Sequence, residues 1–473
     1  MKRVLLLVLF AAGALPALGG DPYSSFFTDS TMRVDFYHSG TKTTEMFSLD
    51  LVVPDGPWPG SRVNLLDTLN LGEFLVRVYD RSSTALIFSR GYSTIFNEWQ
   101  TTDEASRGVR RTFSESLRFP YPKAAVQLTI SRRDKTMDYR ELWSVVIDPG
   151  DPTQVRKDRR RLANRVLPLL RNGEPSSKVD IVILGDGYAK GDLEKLRRDA
   201  RHFNEVMFSL EPFKHRESDF NVWLVETVSA EVGIDLPDKG IWKNNLLGCE
   251  YNTFGSPRYI LTVENAAVRD AASAAPYDFI CVLVNDTRYG GGGIYNLYTT
   301  TYTGETAEEK KWWMDYVYVH EFGHSFGGLG DEYYSSSTGY TEFYPAGVEP
   351  WEPNLTALGD TANVKWRAYL SPGIEIPTPW EKALYDSVAS ARQALDRLAP
   401  DYYQKQKPLH DRMESILKTS AYAGKVGAFE GAGYSSTGLY RPAIDCRMFS
   451  LSLVDFDPVC RASIERVINF YSR

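Results

Sequence analysis

Tyr316-Val317-Tyr318-Val319-His320-Glu321-Phe322-Gly323-His324 sets two histidines four residues apart, with a glutamate directly after the first. On an α-helix, positions i and i+4 share a face one turn apart, so both imidazoles can reach a single Zn²⁺ ion. Glu321 is rotated by about 100° from His320. It can therefore stand over a metal-activated water without ligating the metal, as a general base requires. The plainer alternative is a pair of histidines satisfied by hydrogen bonds in a helical core. A catalytic zinc takes three protein ligands and keeps one position open. The chain turns at Gly327-Gly328, and Asp331 follows as the expected third ligand; Glu332 is its close competitor, and Glu430 and His410 are more distant choices.

The helix carrying this pair is expected to begin near Thr306-Ala307-Glu308-Glu309, where acidic side chains suit a helix N-terminus. Trp313, Val317, His320 and His324 then fall on one face. Just upstream, Gly290 to Gly293 read as a flexible bend, followed by an extended Tyr/Thr-rich run over 294–302. A strand there on the rim of a cleft would bind an extended peptide through its backbone; an ordinary sheet strand is the alternative.

Around this segment the chain divides into parts. Residues 21–150 contain period-two runs, at Met32–Tyr37, Glu45–Val53, Glu73–Asp80, Ala125–Ser131 and Glu141–Ile147, which predict an all-β sandwich. No cluster there suggests catalysis, so its expected role is structural or substrate-positioning. Residues 151–178 read as a linker in which Leu162, Val166, Leu167, Leu169 and Leu170 suit a short helix. Its basic run from Arg156 to Arg161 is a solvated linker or a processing site. From 179 to 473, strands at Val179–Leu184, Phe220–Glu226 and Phe279–Asn285 alternate with helices, the first helix carrying Leu193, Leu196, Ala200, Phe203 and Val206. Near 380–425 a helical hairpin is expected as an insertion, with Leu384, Val388, Ala391, Leu395 and Leu398 on one helix and Leu409, Met413 and Ile416 on the other.

At 473 residues the chain exceeds one ordinary core. A net charge of −7 gives a nucleic-acid role no electrostatic support. Residues 1–20 read as a signal peptide: Lys2-Arg3, an apolar stretch from Val4 to Ala12, and a small-residue cleavage site at Ala17-Leu18-Gly19. No later stretch has the ~20 apolar residues of a membrane span. The expectation is an exported protein that is secreted, periplasmic or at the cell surface. The sequence has four cysteines. Cys446 and Cys460, close in sequence, are the preferred disulfide pair, and Cys281 is expected as a buried free thiol.

His320-Glu321-Phe322-Gly323-His324-Ser325-Phe326-Gly327-Gly328-Leu329-Gly330-Asp331-Glu332-Tyr333 resembles the IgA-peptidase-like zinc metallopeptidases, the igalysins of the metzincin clan. Ser89–Phe96 with Glu98–Thr102 resembles that family's N-terminal domain, and Ile183–Tyr188 and Gly438–Pro442 its catalytic domain. The resemblance implies a metzincin-like α/β zinc-peptidase domain after the β-sandwich, an α+β multidomain chain in all. It also implies a methionine turn beneath the metal, for which Met448 in Cys446-Arg447-Met448 is the choice. The usual pattern H-E-x-x-H-x-x-G-x-x-H/D would place the third ligand at Gly330; the carboxylate stands one residue later.

These readings converge on an exported zinc metalloendopeptidase acting on protein or peptide substrates, with His320, His324 and Asp331 as ligands and Glu321 as base. The competing class is a glycan- or protein-binding surface factor with a vestigial or structural zinc site. An intact Glu321 argues against it.

Overall fold

The computed structural model describes residues 21–157, 164–304, 311–334, 339–340, 343–395, 401–452 and 454–473. The expected signal segment, the expected helix start at Thr306–Glu309, most of the basic run, Leu162 and Leu398 lie outside them.

The first part is all-β. It holds β1 (Phe27–Gly40), β2 (Glu45–Pro57), β3 (Phe74–Asp80), β4 (Leu86–Tyr92), β5 (Arg111–Pro122), β6 (Val126–Arg133) and β7 (Tyr139–Ile147), with short helices α1 (Pro22–Phe26), α2 (Ile95–Trp99) and α3 (Asp103–Ser106). The strands form two antiparallel sheets, ordered β2-β1-β5 and β4-β3-β6-β7. Alternate side chains of both, among them Val34, Phe36, Val76, Val78, Leu117, Phe119, Leu128 and Ile130, meet in one core, as period-two patterning requires. Ile95, Phe96, Trp99, Ala105 and Phe113 point elsewhere, into the core of the second part.

The second part is built on a six-stranded sheet ordered β12-β13-β11-β9-β10-β8. These are β8 (Val166–Arg171), β9 (Val179–Asp186), β10 (Phe220–Val225), β11 (Phe279–Val284), β12 (Gly291–Ile294) and β13 (Tyr298–Tyr302). The four inner strands are parallel and the two edges antiparallel. β9 and β11 are buried on both faces, which explains their continuous apolar runs. Helices α4 (Leu193–Phe208), α5 (Asn265–Ala272), α6 (Lys311–Gly327) and α9 (Pro458–Tyr471) pack around it. α7 (Lys382–Gln393) and α8 (Tyr402–Thr419) form the expected hairpin, and β14 (Val426–Ala432) pairs with β15 (Ser435–Ala443).

Three local expectations fail for identifiable reasons. Val166–Arg171 is a strand and not a helix, because β10 offers it an open sheet edge; Pro168 is tolerable there and would break a helix interior. The four-glycine run is no loose bend, since Gly291–Gly293 lie in β12. In α7 the inward face is shifted by one residue: Tyr385 and Ala389 are buried while Leu384 is 45% exposed. Among the described residues, no helix is long and apolar enough to cross a membrane.

Candidate metal centre and cleft

Helix α6 lies across β12 and β13 with α4 and α9 alongside. The strand–helix contact is close because of glycine. A Cβ on Gly293 would overlap the Glu321 carbonyl, and one on Gly291 would come within 2.5 Å of Val317. The helix ends at Gly328 in a left-handed conformation (φ +62°). The Gly328 N–H donates to the His324 carbonyl at 3.1 Å, which turns the chain back toward the histidines.

Three side-chain atoms meet there. His320 Nε2 and His324 Nε2 lie 3.2 Å apart, and Asp331 Oδ1 is 3.0 Å from the first and 3.3 Å from the second. A tetrahedral ion with arms of about 2.0–2.1 Å has ligand-to-ligand edges of about 3.3 Å, so this triangle has the size of a ligand face. The other ring nitrogens are already committed. His320 Nδ1 faces the Arg447 carbonyl at 3.1 Å and the Tyr316 hydroxyl at 3.2 Å, while His324 Nδ1 faces the Leu329 carbonyl at 2.6 Å. A carbonyl accepts only, so each Nδ1 carries a proton, and on the neutral ring each Nε2 then presents a lone pair. Two lone pairs and a carboxylate oxygen that has no hydrogen-bond donor converge in a buried site. Such a donor set fits a dication.

The charges agree. Burial opposes charge on His324, but the adjacent Asp331 carboxylate prevails and pushes the imidazole up to about 10, so a dication bound here would displace a proton from this ring. Asp331 is held well below the usual carboxylate range by both imidazoles, against the cost of burial. The trio draws in positive charge.

The one-residue offset has a packing cause. A Cβ at Gly330 would overlap Leu355, so a side chain at 330 would require the buried Leu355 to shift. Asn354 grips this residue from both sides, its Oδ1 accepting the Gly330 N–H at 2.8 Å and its Nδ2 donating to the Gly330 carbonyl at 2.9 Å. Asp331 then faces the histidines. Its Oδ2 accepts from the Tyr434 hydroxyl at 2.5 Å. Glu332 turns away, its Oε1 near Asn354 Nδ2 at 2.9 Å and Cys460 Sγ at 3.2 Å. Glu430 lies in the β14–β15 hairpin, where it accepts from the Gly438 N–H, and His410 sits on α8 beside Glu414. Met448 is fully buried in the turn after Cys446; a Cβ on Gly323, between the two histidines, would come within 2.9 Å of its sulfur.

The trio opens into a cleft of about 710 Å³ with three walls. Glu321 lines it, its carboxyl pushed up by burial against the pull of the two histidines. Edge strand β12 contributes Gly291, Gly293 and Ile294; its outer edge at Gly291 is bonded to Arg258 and Ile260, and Gly293 is its one half-buried residue, whereas β13, the Tyr/Thr strand, is wholly buried inside the sheet. The helical hairpin supplies Tyr385, Arg392, His410 and Met413. The β part supplies Asn97, Glu98, Thr101 and Arg132. Burial pushes the Glu98 carboxyl up to about 7, although the hydroxyls of Tyr259 and Tyr340 donate to it at 2.5 and 2.8 Å.

Tyr434, Asn354, Glu98 and the Arg447 carbonyl carry no local signature; Tyr434 is 103 residues from Asp331. Cys446 and Cys460 are neighbours, as their spacing suggests, but both are free thiols with sulfurs 3.8 Å apart; Cys281 is a buried free thiol, as expected.

A family model described as IgA Peptidase M64 matches residues 167–468, and one described as Peptidase M64 N-terminus matches residues 22–144. No curated protein matches the chain.

Proposed function

The chain belongs to the IgA peptidase M64 family and is a peptidase acting on protein substrate; from that premise we propose that it is an exported, zinc-dependent endopeptidase with a metzincin-like catalytic domain. The observation that carries this reading is the triangle of His320 Nε2, His324 Nε2 and Asp331 Oδ1, with edges of 3.0–3.3 Å and both Nδ1 atoms occupied by carbonyls. These three residues would hold Zn²⁺, and Glu332 is directed elsewhere. The buried Met448 against Gly323 supports the metzincin-like reading.

When bound, zinc polarises the scissile carbonyl and acidifies water. The remaining work falls to side chains. Glu321 takes the proton of the attacking water and returns it to the leaving amine; its raised proton affinity suits a group that must hold that proton between the two events. Tyr434 and the Leu329 and Arg447 carbonyls fix the orientation of the ligands. The cleft gives an extended substrate chain room beside Gly293 of β12. Export rests on the signal segment at residues 1–20.

Replacing Glu321 by Ala tests the mechanism. Zinc measured by atomic emission should be retained, while hydrolysis of a mixed peptide library should fall by roughly 10²–10⁴-fold. Unchanged hydrolysis in that variant would sink the mechanism.

A further inference from the structure

A second group of ligand-type side chains lies directly behind the first. Glu332, Cys446, Asp457 and Cys460 each offer one atom, and all four atoms lie within 4.8 Å of one another. None of the four side chains reaches solvent appreciably; Glu332, Cys446 and Cys460 are 0% exposed and Asp457 5%. Each comes from a defined place. Glu332 follows Asp331, Cys446 opens the turn bearing Arg447 and Met448, and Asp457 caps α9, whose first turn carries Cys460.

The spacing identifies what the group suits. The sulfurs are 3.8 Å apart, nearly twice the ~2.05 Å of a disulfide bond. A tetrahedral ion with metal–sulfur arms of about 2.3 Å has a sulfur-to-sulfur edge of about 3.8 Å. Glu332 Oε1 lies 3.2 Å from the Cys460 sulfur. Asp457 spends Oδ1 on the N–H groups of Val459 and Cys460, at 2.7 and 3.1 Å. Its Oδ2 and the Oε2 of Glu332 are buried with no hydrogen-bond partner. Two carboxylates brought into a dry pocket with unpaired oxygens are costly unless a cation joins them. The buried guanidinium of Arg441, whose charge bears on Glu332, offsets part of the negative charge of two thiolates and two carboxylates.

We propose that Glu332, Cys446, Asp457 and Cys460 form a second, structural cation site that takes a thiophilic dication such as Zn²⁺. With four protein ligands it is closed and leaves no position for substrate. Its position gives it a task. One ligand is bonded through the backbone to Asp331, and another begins the turn whose Arg447 carbonyl receives His320. The ion would staple residues 331–332, 446–448 and the start of α9 together, beneath the cleft. The inference stands independently of any reaction in the cleft.

Cobalt distinguishes the two sites, because only the second contains sulfur. The full-length mature chain, stripped of metal and reloaded with Co²⁺, should bind two equivalents and show a near-ultraviolet thiolate-to-cobalt charge-transfer band. The double variant His320→Ala/His324→Ala should keep the band with one equivalent. Cys446→Ser/Cys460→Ser should lose the band and also hold one. The wild-type spectrum suffices should the serine variant not fold: a loaded wild type without the band overturns the proposal. So does a non-reduced peptide map that joins Cys446 to Cys460, or a band that survives in the serine variant. Two equivalents persisting in the alanine variant would count against the ligand assignment in the cleft and leave this site standing.

Discussion

Two of the places where histidine meets carboxylate in this protein have opposite outcomes. In the β part, His38 is wholly buried between the rings of Phe47 and Phe96, at centroid distances of 4.2 and 3.8 Å. Each of its nitrogens faces an acid, Nδ1 to Glu115 at 3.0 Å and Nε2 to Glu45 at 3.3 Å. Burial opposes its charge, but the two glutamates prevail and raise its proton affinity, so the ring is held between two acids. In the cleft, His320 and His324 give one nitrogen each to a carbonyl and turn the other toward a shared point. Proximity to an acid therefore does not make a metal ligand. The partner of the second nitrogen decides it.

The contrast can be broken most severely at a ligand. His324→Ala should remove one equivalent of metal and lower peptide hydrolysis by roughly 10³-fold or more, measured by metal analysis and turnover. Retention of full metal content would place His324 with His38, as a structural histidine. A milder change is Tyr434→Phe, which deletes only the hydroxyl donating to Asp331. It should weaken metal binding by about 10–100-fold, read by competition with a chelator, as partners behind the ligands commonly do; unchanged affinity would deny Tyr434 that role.

The gentlest probe is pH at His38. Its value is raised on folding, so its contribution to stability is complete below about pH 6.5 and is lost as pH rises through the folded value. Glu45 is lowered by His38 and Arg132 against burial, so its contribution is present above about pH 4.3 and lost as pH falls through its own folded value. The His38 imidazole resonance, assigned by comparison with His38→Gln, should still report the protonated ring at pH 7. A neutral ring there would erase the distinction between the two clusters.

Much of this was legible in the chain because it is local. The i, i+4 histidines, the glycine stop after them and the apolar runs of β9 and β11 declare themselves within a few residues. Non-local chemistry hid the rest. β5 buries Phe113, Glu115, Leu117 and Phe119 at alternate positions, and the charged Glu115 breaks the apolar alternation; its presence there makes sense only once His38, 77 residues away, is beside it. Asp331 could be chosen from its position after the turn, yet the reason it is not at 330 lies with Leu355 and Asn354. Glu98 gave no sign of facing the cleft, since that depends on how α2 docks on the second part.

The glycines of β12 carry a last consequence. With Gly293 flush against the Glu321 carbonyl, strand and helix form a single slab, and a side chain there would push Glu321, the proposed general base, away from its place. In the proposed peptidase, selectivity would then fall to the banks, the α7–α8 hairpin on one side and Asn97, Glu98 and Thr101 on the other. The molecule separates a fixed anvil from interchangeable jaws, so its choice of substrate can drift without disturbing its chemistry.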